Sequence, residues 1–428
     1  MLPDLLAALA ARLAAEPDVR RWVIAFSGGL DSSLLLELCA RLQLPQPLIA
    51  VHVDHQLQPA SADFAEHCRL HCRRLAIPLT QVQVTPASAS EASARAARYR
   101  AFEQLLEPGD CLLLAQHADD QAETLLLRLL RGAGVAGLAA MPETRPLGQA
   151  RLVRPLLAQP RARLEQVAAE LGLQPVEDPT NAQDHYDRNW LRLRVLPQLL
   201  QRWPSLHQRC RDTAALMQDA DLLLRERAEE DRRHCQVAAG QLDLDALQAL
   251  SAPRQRNLMH HWIHAVTGLR LSRTRLLTLV SALMSAAADA DPVERLQGYQ
   301  LRRYRRRVYL LPDPLPPSLN PADVRVGEPL QLPQGRLSWL PAPRGLVPGD
   351  RLALAGRAGG ERLRPLGRGG SVRLKQLLQE AGVPPWQRPL QPLLYRQQEI
   401  VAVPGVCLCE EGWIENGLMP HWDAFGLS

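Results

Sequence analysis

The sequence predicts an α/β protein. Its first part is expected to be a doubly wound parallel sheet, followed by a helical middle domain and a small α+β C-terminal domain. Two observations lead to this class. Short apolar runs alternate with segments of helical spacing up to about Leu171, which is typical of a parallel sheet covered by helices. The spacing then becomes helical from about Trp203 to Leu283, and prolines and glycines are frequent in the chain after residue 311.

The apolar runs give the strands and the segments between them give the helices. An amphipathic helix is predicted over residues 1–15. The predicted strands are Trp22–Phe26, Leu48–Val53, Leu79–Val84, Cys111–Ala115 and Leu152–Leu157, and the predicted helices include Leu30–Leu42, Glu91–Leu106 and Arg161–Leu171. Ligands of such sheets bind beyond the carboxyl ends of the strands, where the strand order reverses. Ser27–Ser33, Asp54–His55 and Gln116–Glu123 are therefore expected at one mouth.

We divide the chain into four parts. These are a catalytic domain over residues 1–204, a mainly helical middle domain over 205–311, a proline-rich linker over 312–348 and a basic C-terminal domain over 349–428. Val293–Leu311 resembles a hairpin that turns near Gly298. In the last part, glycine turns, a basic helix ending at Glu380 and a tryptophan expected to be exposed, Trp386, suit a nucleic-acid-binding module. The same features would also fit a structural cap.

The formal net charge of +5 is unevenly distributed. Residues 301–428 contain 17 Lys and Arg against 11 Asp and Glu, a net charge of +6. A basic C-terminal third fits a polyanionic partner, although a solvated basic face would give the same count.

The cysteine pattern and the N-terminus bear on metal chemistry and location. The eight cysteines form no Cys-x-x-Cys pair, so neither a zinc ribbon nor an iron–sulfur cluster is indicated. The first 15 residues lack the basic start of a signal peptide, and no apolar run reaches membrane-spanning length. We expect a cytoplasmic protein with reduced thiols.

The first chemical motif is Ser27–Ser33, directly after the first predicted strand. Gly28 and Gly29 let the backbone turn sharply and bring bare N–H groups close to a ligand. The following helix points its positive end at the same place, so an anion can bind there. The motif is not a Walker A loop, because no Gly-x4-Gly-Lys-[Ser/Thr] occurs in the chain. A glycine turn that merely connects strand to helix is the plain alternative.

The second motif follows the fourth predicted strand. His117, Asp119 and Asp120 lie at the strand end, and Glu123 lies one helical turn beyond Asp120. Carboxylates near a nucleotide's phosphates indicate magnesium coordination or capture of a cationic substrate. Singly, each would be an ordinary surface acid, and Asp119 could simply cap the helix.

Taken together, the motifs resemble those of the tRNA(Ile)-lysidine synthase family, which belongs to the N-type ATP pyrophosphatases with a PP-loop in a Rossmann-like sheet. The resemblance covers nearly the whole chain. The matching segments are Ser27–Ser32, His52–His55, Ala94–Tyr99, Gln116–Thr124, Arg131–Gly134, Glu177–Asn181, Arg188–Asn189, Leu374–Lys375 and Pro384–Arg388. Two residues depart from the family pattern: Asp54 stands where Asn or His is commoner, and Val176 where Trp is commoner.

The resemblance implies a two-step reaction. ATP, with Mg²⁺, would adenylate the C2 oxygen of the wobble cytidine (position 34) of the CAU-anticodon tRNA(Ile) and release pyrophosphate. Free lysine would then displace AMP and form lysidine. The tRNA would thereby read AUA instead of AUG and accept isoleucine instead of methionine.

The resemblance also assigns roles to residues. The ATP contacts would be Ser27, Gly28, Gly29, Leu30, Asp31 and Ser32, with Asp31 also the Mg²⁺ ligand. The catalytic set would be Asp31, Arg95, His117, Asp120 and Glu123, of which Asp120 and Glu123 would bind lysine and His117 or a carboxylate would act as base. The tRNA contacts would be Arg131, Arg188, Arg192, Arg373, Lys375 and Arg388.

Three other interpretations remain open on the sequence. A 2-thiolating tRNA enzyme shares the loop but needs paired cysteines, and an amide-forming relative such as GMP synthetase has no use for the basic tail. A non-catalytic, nucleotide-gated RNA-binding protein would not need the acidic motif. The oligomeric state, monomer or homodimer, is also left open.

Overall fold

The computed structural model describes residues 1–54, 61–88, 91–176, 186–238, 240–285 and 292–424. The chain divides into two compact units, Met1–Leu223 and Leu224–Ser428. Within the described ranges, no helix combines the length and the apolar character needed to cross a membrane.

The first unit alternates strands and helices. Its strands are β1 (Arg21–Ala25), β2 (Leu48–Asp54), β3 (Leu79–Gln83), β4 (Asp110–Leu113), β5 (Thr144–Leu147) and β6 (Ala150–Val153). Its helices are α1 (Leu2–Ala14), α2 (Leu30–Leu42), α3 (Ser61–Arg74), α4 (Glu91–Leu105), α5 (Ala118–Leu130), α6 (Val135–Leu138), α7 (Arg161–Glu170), α8 (Asp187–Trp190), α9 (Leu196–Arg202) and α10 (Leu206–Cys235), which ends in the second unit. A π-helical turn, Leu191–Val195, joins α8 to α9.

These strands form one sheet in the order β3-β2-β1-β4-β6-β5. All neighbours are parallel except β5, which forms an antiparallel hairpin with β6. The chain moves outward from β1 through β2 to β3 and then crosses to β4 on the other side of β1. The strand order therefore reverses between β1 and β4, which is where an open α/β sheet binds its ligand. The predicted doubly wound parallel sheet is confirmed.

Residues of alternating parity on the strands fill two cores, one on each face of the sheet. Ile24 and Leu113 pack with the leucines of α1 and α2 on one face. Val23 and Leu112 pack with Phe102 of α4 on the other. Each fully buried aliphatic side chain contributes about 1.5–3 kcal/mol, so the two cores hold the carboxyl edge of the sheet in place.

The predicted strand at Leu152–Leu157 was wrong in extent. The strand ends at Val153, and Leu156 and Leu157 are buried in the turn that follows. The apolar run gave no hint of this end, because these leucines fill the core from a turn as well as they would from a strand.

The second unit is built from four further helices and fifteen strands among the described residues. The helices are α11 (Leu244–Ala249), α12 (Ala252–Thr267), α13 (Arg273–Ser285) and α14 (Leu374–Glu380). The strands are β7 (Gln236–Ala238), β8 (Gln241–Asp243), β9 (Val293–Leu296), β10 (Tyr299–Tyr304), β11 (Arg307–Pro312), β12 (Ala322–Arg325), β13 (Leu330–Leu332), β14 (Gly335–Leu346), β15 (Arg351–Ala355), β16 (Arg362–Leu363), β17 (Val372–Arg373), β18 (Leu393–Arg396), β19 (Glu399–Val403), β20 (Cys407–Leu408) and β21 (Trp413–Ala424).

The middle part of the chain packs helices on a sheet. Residues of α11, α12 and α13 share a core with β8, β10 and β11 of the five-stranded sheet β7-β8-β11-β10-β9. The predicted hairpin is present as β9 and β10, which turn at Gly298 with φ +72°. A third strand, β11, extends it.

The predicted linker over residues 312–348 was wrong, because β12, β13 and β14 lie within it. Two of its prolines, Pro341 and Pro343, belong to β14 itself. They lie beyond the residues of β14 that pair with β13, so they face β21 alone across the ladder. Proline is tolerated at such edge positions, and its abundance here does not mark an unstructured segment. The other domain boundaries stay predictions.

Candidate active site

The loop after β1 is shaped by close packing and by its own serines. Gly28 has φ +85°, and a Cβ atom there would lie 3.2 Å from Cys68 Sγ of α3. Glycine satisfies both demands, since any side chain would be strained and crowded. Ser32 Oγ accepts a hydrogen bond from Ser27 N at 3.2 Å and donates one to Gly29 O at 3.0 Å. The loop therefore holds its turn before any ligand arrives.

The helix α2 starts at Leu30, immediately after this turn. Its N-cap residue is Gly29, and no side chain caps the helix. The first N–H groups of α2 are thus left to a ligand, at the positive end of the helix dipole. The predicted ATP contacts Ser27–Ser32 all lie in this turn or in the first turn of the helix.

A second loop, which connects β4 to α5, meets the first at the switch point. His117 at the start of α5 is only 1% exposed. Its Nε2 lies 3.7 Å from Asp31 Oδ2 and 3.4 Å from Asp120 Oδ2, and its backbone N–H donates to Asp120 Oδ2 at 3.1 Å. The structure therefore brings together the two motifs that the sequence places 80 or more residues apart.

The meeting of these loops shifts the pKa values of both partners. Burial acts to raise the pKa of Asp31, but the hydrogen bond and charge of His117, with the charges of Arg161 and Arg192, hold it below its ordinary value. Burial acts to lower the pKa of His117, but Asp31 and Asp120 outweigh it and raise the pKa. The pair is thereby shifted toward a carboxylate beside an imidazolium.

Asp31 keeps one oxygen available for a metal ion. Its Oδ1 is buried and has no hydrogen-bond partner among the described residues. In the same ranges, no group of three or more His, Cys, Asp and Glu is placed to hold a metal. Mg²⁺ in nucleotide sites is commonly held by one or two carboxylates together with the phosphates, so a single orphaned carboxylate oxygen beside the loop Ser27–Ser33 fits this ion.

Asp119 faces away from this pair. It does not cap its own helix in the way the sequence allowed, because its Oδ2 accepts a hydrogen bond from the backbone N–H of Arg161 at the start of α7, at 3.3 Å. The same oxygen lies 2.7 Å from His207 Nε2. Asp119 therefore connects α5 to α7 and to the start of α10.

Asp120 and Glu123 form a buried network with two arginines. Arg188 Nε donates to Glu123 Oε2 at 2.7 Å, and Arg192 Nε donates to Glu123 Oε1 at 2.6 Å. Both guanidinium groups also reach Asp120 Oδ1, each at 3.0 Å. The Glu123 side chain is fully buried. Residues predicted as lysine ligands and residues predicted as tRNA contacts are thus partners of each other here, and both roles stay predictions.

Comparison with known proteins now identifies the chain. Family models match a PP-loop domain over residues 5–199, a TilS substrate binding domain over residues 242–309 and a TilS substrate C-terminal domain over residues 352–420. The tRNA(Ile)-lysidine synthase of Pseudomonas aeruginosa is 43% identical and covers 95% of each chain, and that of Alkalilimnicola ehrlichii is 42% identical and covers 92% of each. This chain belongs to the tRNA(Ile)-lysidine synthase family.

A solved structure outside the family gives only a weak likeness. The U34-tRNA thiolase NcsA from Methanococcus maripaludis covers 50% of this chain and 79% of its own, at 16% identity and a TM-score of 0.43. A likeness of this size bears on neither the fold nor the reaction.

Two of the motifs that resemble the lysidine synthase family lie partly or wholly outside the described residues. These are His55 in the first and Glu177–Asn181 in the second. The residue before the second motif is described: Val176 N donates to Gly28 O at 3.1 Å. The chain therefore reaches the PP-loop just before the Glu177–Asn181 motif begins.

Arg95 lies near two arginines that the family motifs did not single out, Arg145 and Arg154. It lies on α4, where its Nη2 donates to Tyr99 OH at 3.2 Å. Arg145 lies over the same tyrosine ring. Arg154, only 2% exposed, donates to Gln116 Oε1 and to Pro142 O. The one sequence signal for Arg154 was a charge that interrupts the apolar run Leu152–Leu157.

The remaining predicted tRNA contacts differ in exposure. Arg373 and Lys375 are exposed at the start of α14, and Arg131 is exposed beside Asp187. Arg388 is half-buried and donates to Val383 O at 2.8 Å and to Tyr304 OH at 3.1 Å.

The prediction of an exposed Trp386 was wrong. The side chain is 6% exposed and packs edge-on against Tyr304 and Tyr309, with Arg302 over its ring at 5.1 Å. The hairpin β10–β11 supplies these partners from residues some 80 positions earlier in the chain, which local sequence could not reveal.

Proposed function

We propose that this protein ligates free lysine to C2 of the wobble cytidine of CAU-anticodon tRNA(Ile), through an adenylated cytidine, and so converts an AUG-reading tRNA into one that reads AUA. Membership of the tRNA(Ile)-lysidine synthase family carries this proposal. The PP-loop and His117 meet at the switch point of the sheet, which supports the proposal. The reaction needs a nucleotide site and an acidic pocket for lysine next to each other. The free, mostly buried cysteines are in keeping with a cytoplasmic location.

The first step uses the turn Ser27–Ser32. Its backbone N–H groups and the start of α2 would take the phosphates of ATP and stabilise the charge that develops as pyrophosphate leaves. The orphaned Oδ1 of Asp31 would hold Mg²⁺, which supplies further neutralisation of that charge. His117, whose raised pKa favours the imidazolium, orients the Asp31 carboxylate through Oδ2 and leaves Oδ1 turned away from it.

The second step uses Asp120 and Glu123. We assign them to the ammonium group of lysine, because two adjacent carboxylates in a buried pocket select a cation. Arg188 and Arg192 occupy the same oxygens, so lysine binding would exchange guanidinium contacts for ammonium contacts. The raised pKa of His117 favours its protonated form, which cannot accept a further proton. We therefore assign removal of the proton from lysine to a carboxylate.

The tRNA partner is proposed to contact both units. The target cytidine lies in a single-stranded loop and can leave its stack to enter the mouth of the sheet. The exposed Arg373 and Lys375, within a region of net charge +6, would bind phosphates elsewhere on the tRNA.

One assay tests the proposal. Purified protein is incubated with labelled lysine, ATP, Mg²⁺ and the CAU-anticodon tRNA(Ile) transcript, with the initiator tRNA as the control substrate and Asp31→Ala as the control enzyme. We expect lysine to enter only the isoleucine tRNA, and the variant to lose at least 100-fold in rate. Consumption of ATP without lysine transfer would indicate thiolation or amidation instead. Absence of ATP consumption would indicate a binding protein.

A further inference from the structure

Three arginines lie near Tyr99, two of them over its ring. The Cζ atom of Arg95 lies 5.0 Å from the ring centroid and that of Arg145 lies 5.1 Å from it. Arg154 is close enough for its charge to act on the tyrosine hydroxyl. Arg95 comes from α4, Arg145 from β5 and Arg154 from the turn after β6, so the fold has gathered them from three elements.

The hydrogen-bond partners that the structure describes for these arginines are uncharged. In the parts of the chain that the structure describes, none of the three has a carboxylate oxygen within 4.0 Å. Their neutral partners are Tyr99, Gln116 Oε1 and the carbonyls of Pro142 and Pro146. Three positive charges with neutral partners repel one another, and an anion among them would relieve that repulsion.

The crowding of charge also shifts pKa values within the cluster. Burial lowers the pKa of Arg154 to about 10, with Arg145 and Arg95 adding to the fall and Tyr99 opposing it. Burial acts to raise the pKa of Tyr99, but the three arginines outweigh it and lower that pKa. An anion in the cluster would raise both pKa values back toward their ordinary values.

The cluster lies at the reactive edge of the sheet. Arg154 follows β6 directly, and its partner Gln116 lies between the end of β4 and His117. Both strands end at the same edge as β1, which carries the PP-loop. Gln116, which Arg154 contacts, is thus the chain neighbour of His117, whose Nε2 lies 3.7 Å from Asp31 Oδ2.

We propose that Arg95, Arg145 and Arg154 form a second phosphate site, separate from the PP-loop, that binds a phosphate of the substrate beside the reacting cytidine. Arginine is suited to phosphate because its planar fork donates two hydrogen bonds at once. The phosphate belongs either to the RNA backbone or to the nucleotide. Loss of an arginine would weaken tRNA binding in the first case and raise the KM for ATP in the second. This inference rests on the proposed function for the identity of the RNA, although the site itself does not.

The test compares Arg145→Met with Arg100→Met. Arg145 is half-buried at the cluster, whereas Arg100 is exposed on the same helix as Tyr99, so both changes remove one charge from the same region. The binding of tRNA is measured by filter retention at several salt concentrations, and the KM for ATP is measured separately. An Arg145→Lys variant keeps the charge and controls for the change of shape.

If the phosphate belongs to the RNA, Arg145→Met weakens tRNA binding about tenfold and lowers the slope of log K against log[salt] by about 0.7, the value for one single-stranded phosphate contact. Arg100→Met then leaves the slope unchanged and Arg145→Lys restores it. If the phosphate belongs to the nucleotide, the KM for ATP rises and the slope stays the same. Wild-type values for both quantities in Arg145→Met would overturn the proposal.

These outcomes separate the site from the reaction. A changed salt slope in a protein that transfers no lysine would keep the phosphate site and remove the proposed function. If the wild type transfers lysine and Arg145→Met has the same salt slope and the same KM for ATP, the proposed function stands and the phosphate site is removed.

Discussion

The first unit contains two groups of buried or half-buried arginines that differ in their partners. Arg188 and Arg192 share two carboxylates, Asp120 and Glu123, with every contact between 2.6 and 3.0 Å. Arg95, Arg145 and Arg154 gather around Tyr99 with neutral partners only, among the residues described. The residue type is the same, and the two groups lie at the same edge of the sheet.

The difference indicates what each group can do. An arginine that is fully engaged with carboxylates stabilises the fold and must give up those contacts before it can bind a ligand. An arginine without a counterion adds little to stability, and its charge is available to an anion. The two groups therefore differ in their hydrogen-bond partners and not in their charge.

The largest effect should follow from breaking the paired group at its centre. Glu123→Gln removes the buried carboxylate that both Arg188 and Arg192 contact at the shortest distance, 2.7 and 2.6 Å. We expect the free energy of unfolding to fall by about 3 kcal/mol, because breaking a buried ion pair leaves charge uncompensated. Urea unfolding followed by circular dichroism measures this. A midpoint equal to that of the wild type would mean that the four-residue network does not hold the unit together.

The two groups should respond oppositely to loss of a guanidinium. Arg192→Met removes two of the contacts to Glu123 and should lower the free energy of unfolding by about 2 kcal/mol. Arg145→Met relieves repulsion among three arginines and should leave that free energy unchanged or raise it by up to about 1 kcal/mol. Urea unfolding of both variants in one buffer makes the comparison. Equal losses in the two variants would remove the distinction drawn between the groups.

The sequence predicted the doubly wound parallel sheet of the first unit but not its antiparallel strand β5, since alternating apolar runs and a glycine turn depend on local pattern. It also placed Ser27–Ser33 and the His117 loop at one mouth, because parallel strands share their carboxyl ends. It did not reveal that Arg188 would meet Glu123, which lies 65 residues earlier. Side-chain pairing across that distance depends on how α8 packs on α5.

Two other failures have the same physical origin. Trp386 looked exposed because its neighbours in sequence are prolines and polar residues, whereas its real neighbours are aromatic residues of β10 and β11. Arg154 was not singled out from the sequence, because its partners Gln116 and Pro142 lie in two other loops. In each case the informative contact is long-range, and local composition points away from it.

One exposed ion pair of the first unit should contribute little to the free energy of unfolding. Arg131 lies 3.3 Å from Asp187, and both side chains are largely exposed. We expect Arg131→Ala to change the free energy of unfolding by less than about 0.5 kcal/mol, because solvent screens such pairs. If Arg131 contacts tRNA, as the sequence predicts, the same variant should bind tRNA more weakly. A stability loss as large as that of Glu123→Gln would show that exposure is a poor guide to the strength of these pairs.

The smallest effect concerns the pH at which Tyr99 ionises. The charges of Arg95, Arg154 and Arg145 outweigh burial and lower the pKa of Tyr99 from its ordinary value of 10.0. The folded state then releases this proton at a lower pH than the unfolded state does. The contribution to stability is therefore absent at neutral pH, grows as the pH rises between the folded and unfolded pKa values, and is complete above about 10.

Absorbance at 295 nm during a pH titration isolates this tyrosine when the Tyr99→Phe curve is subtracted from that of the wild type. We expect the difference to titrate below pH 10 in the wild type and to move upward in Arg145→Met, because one of the three charges is gone. Inorganic phosphate should also move it upward if it binds the cluster, while leaving the Arg145→Met curve nearly unchanged. A difference curve that titrates at or above pH 10 would mean that the arginines are screened from Tyr99, and the contrast with the paired group would then lose its electrostatic basis.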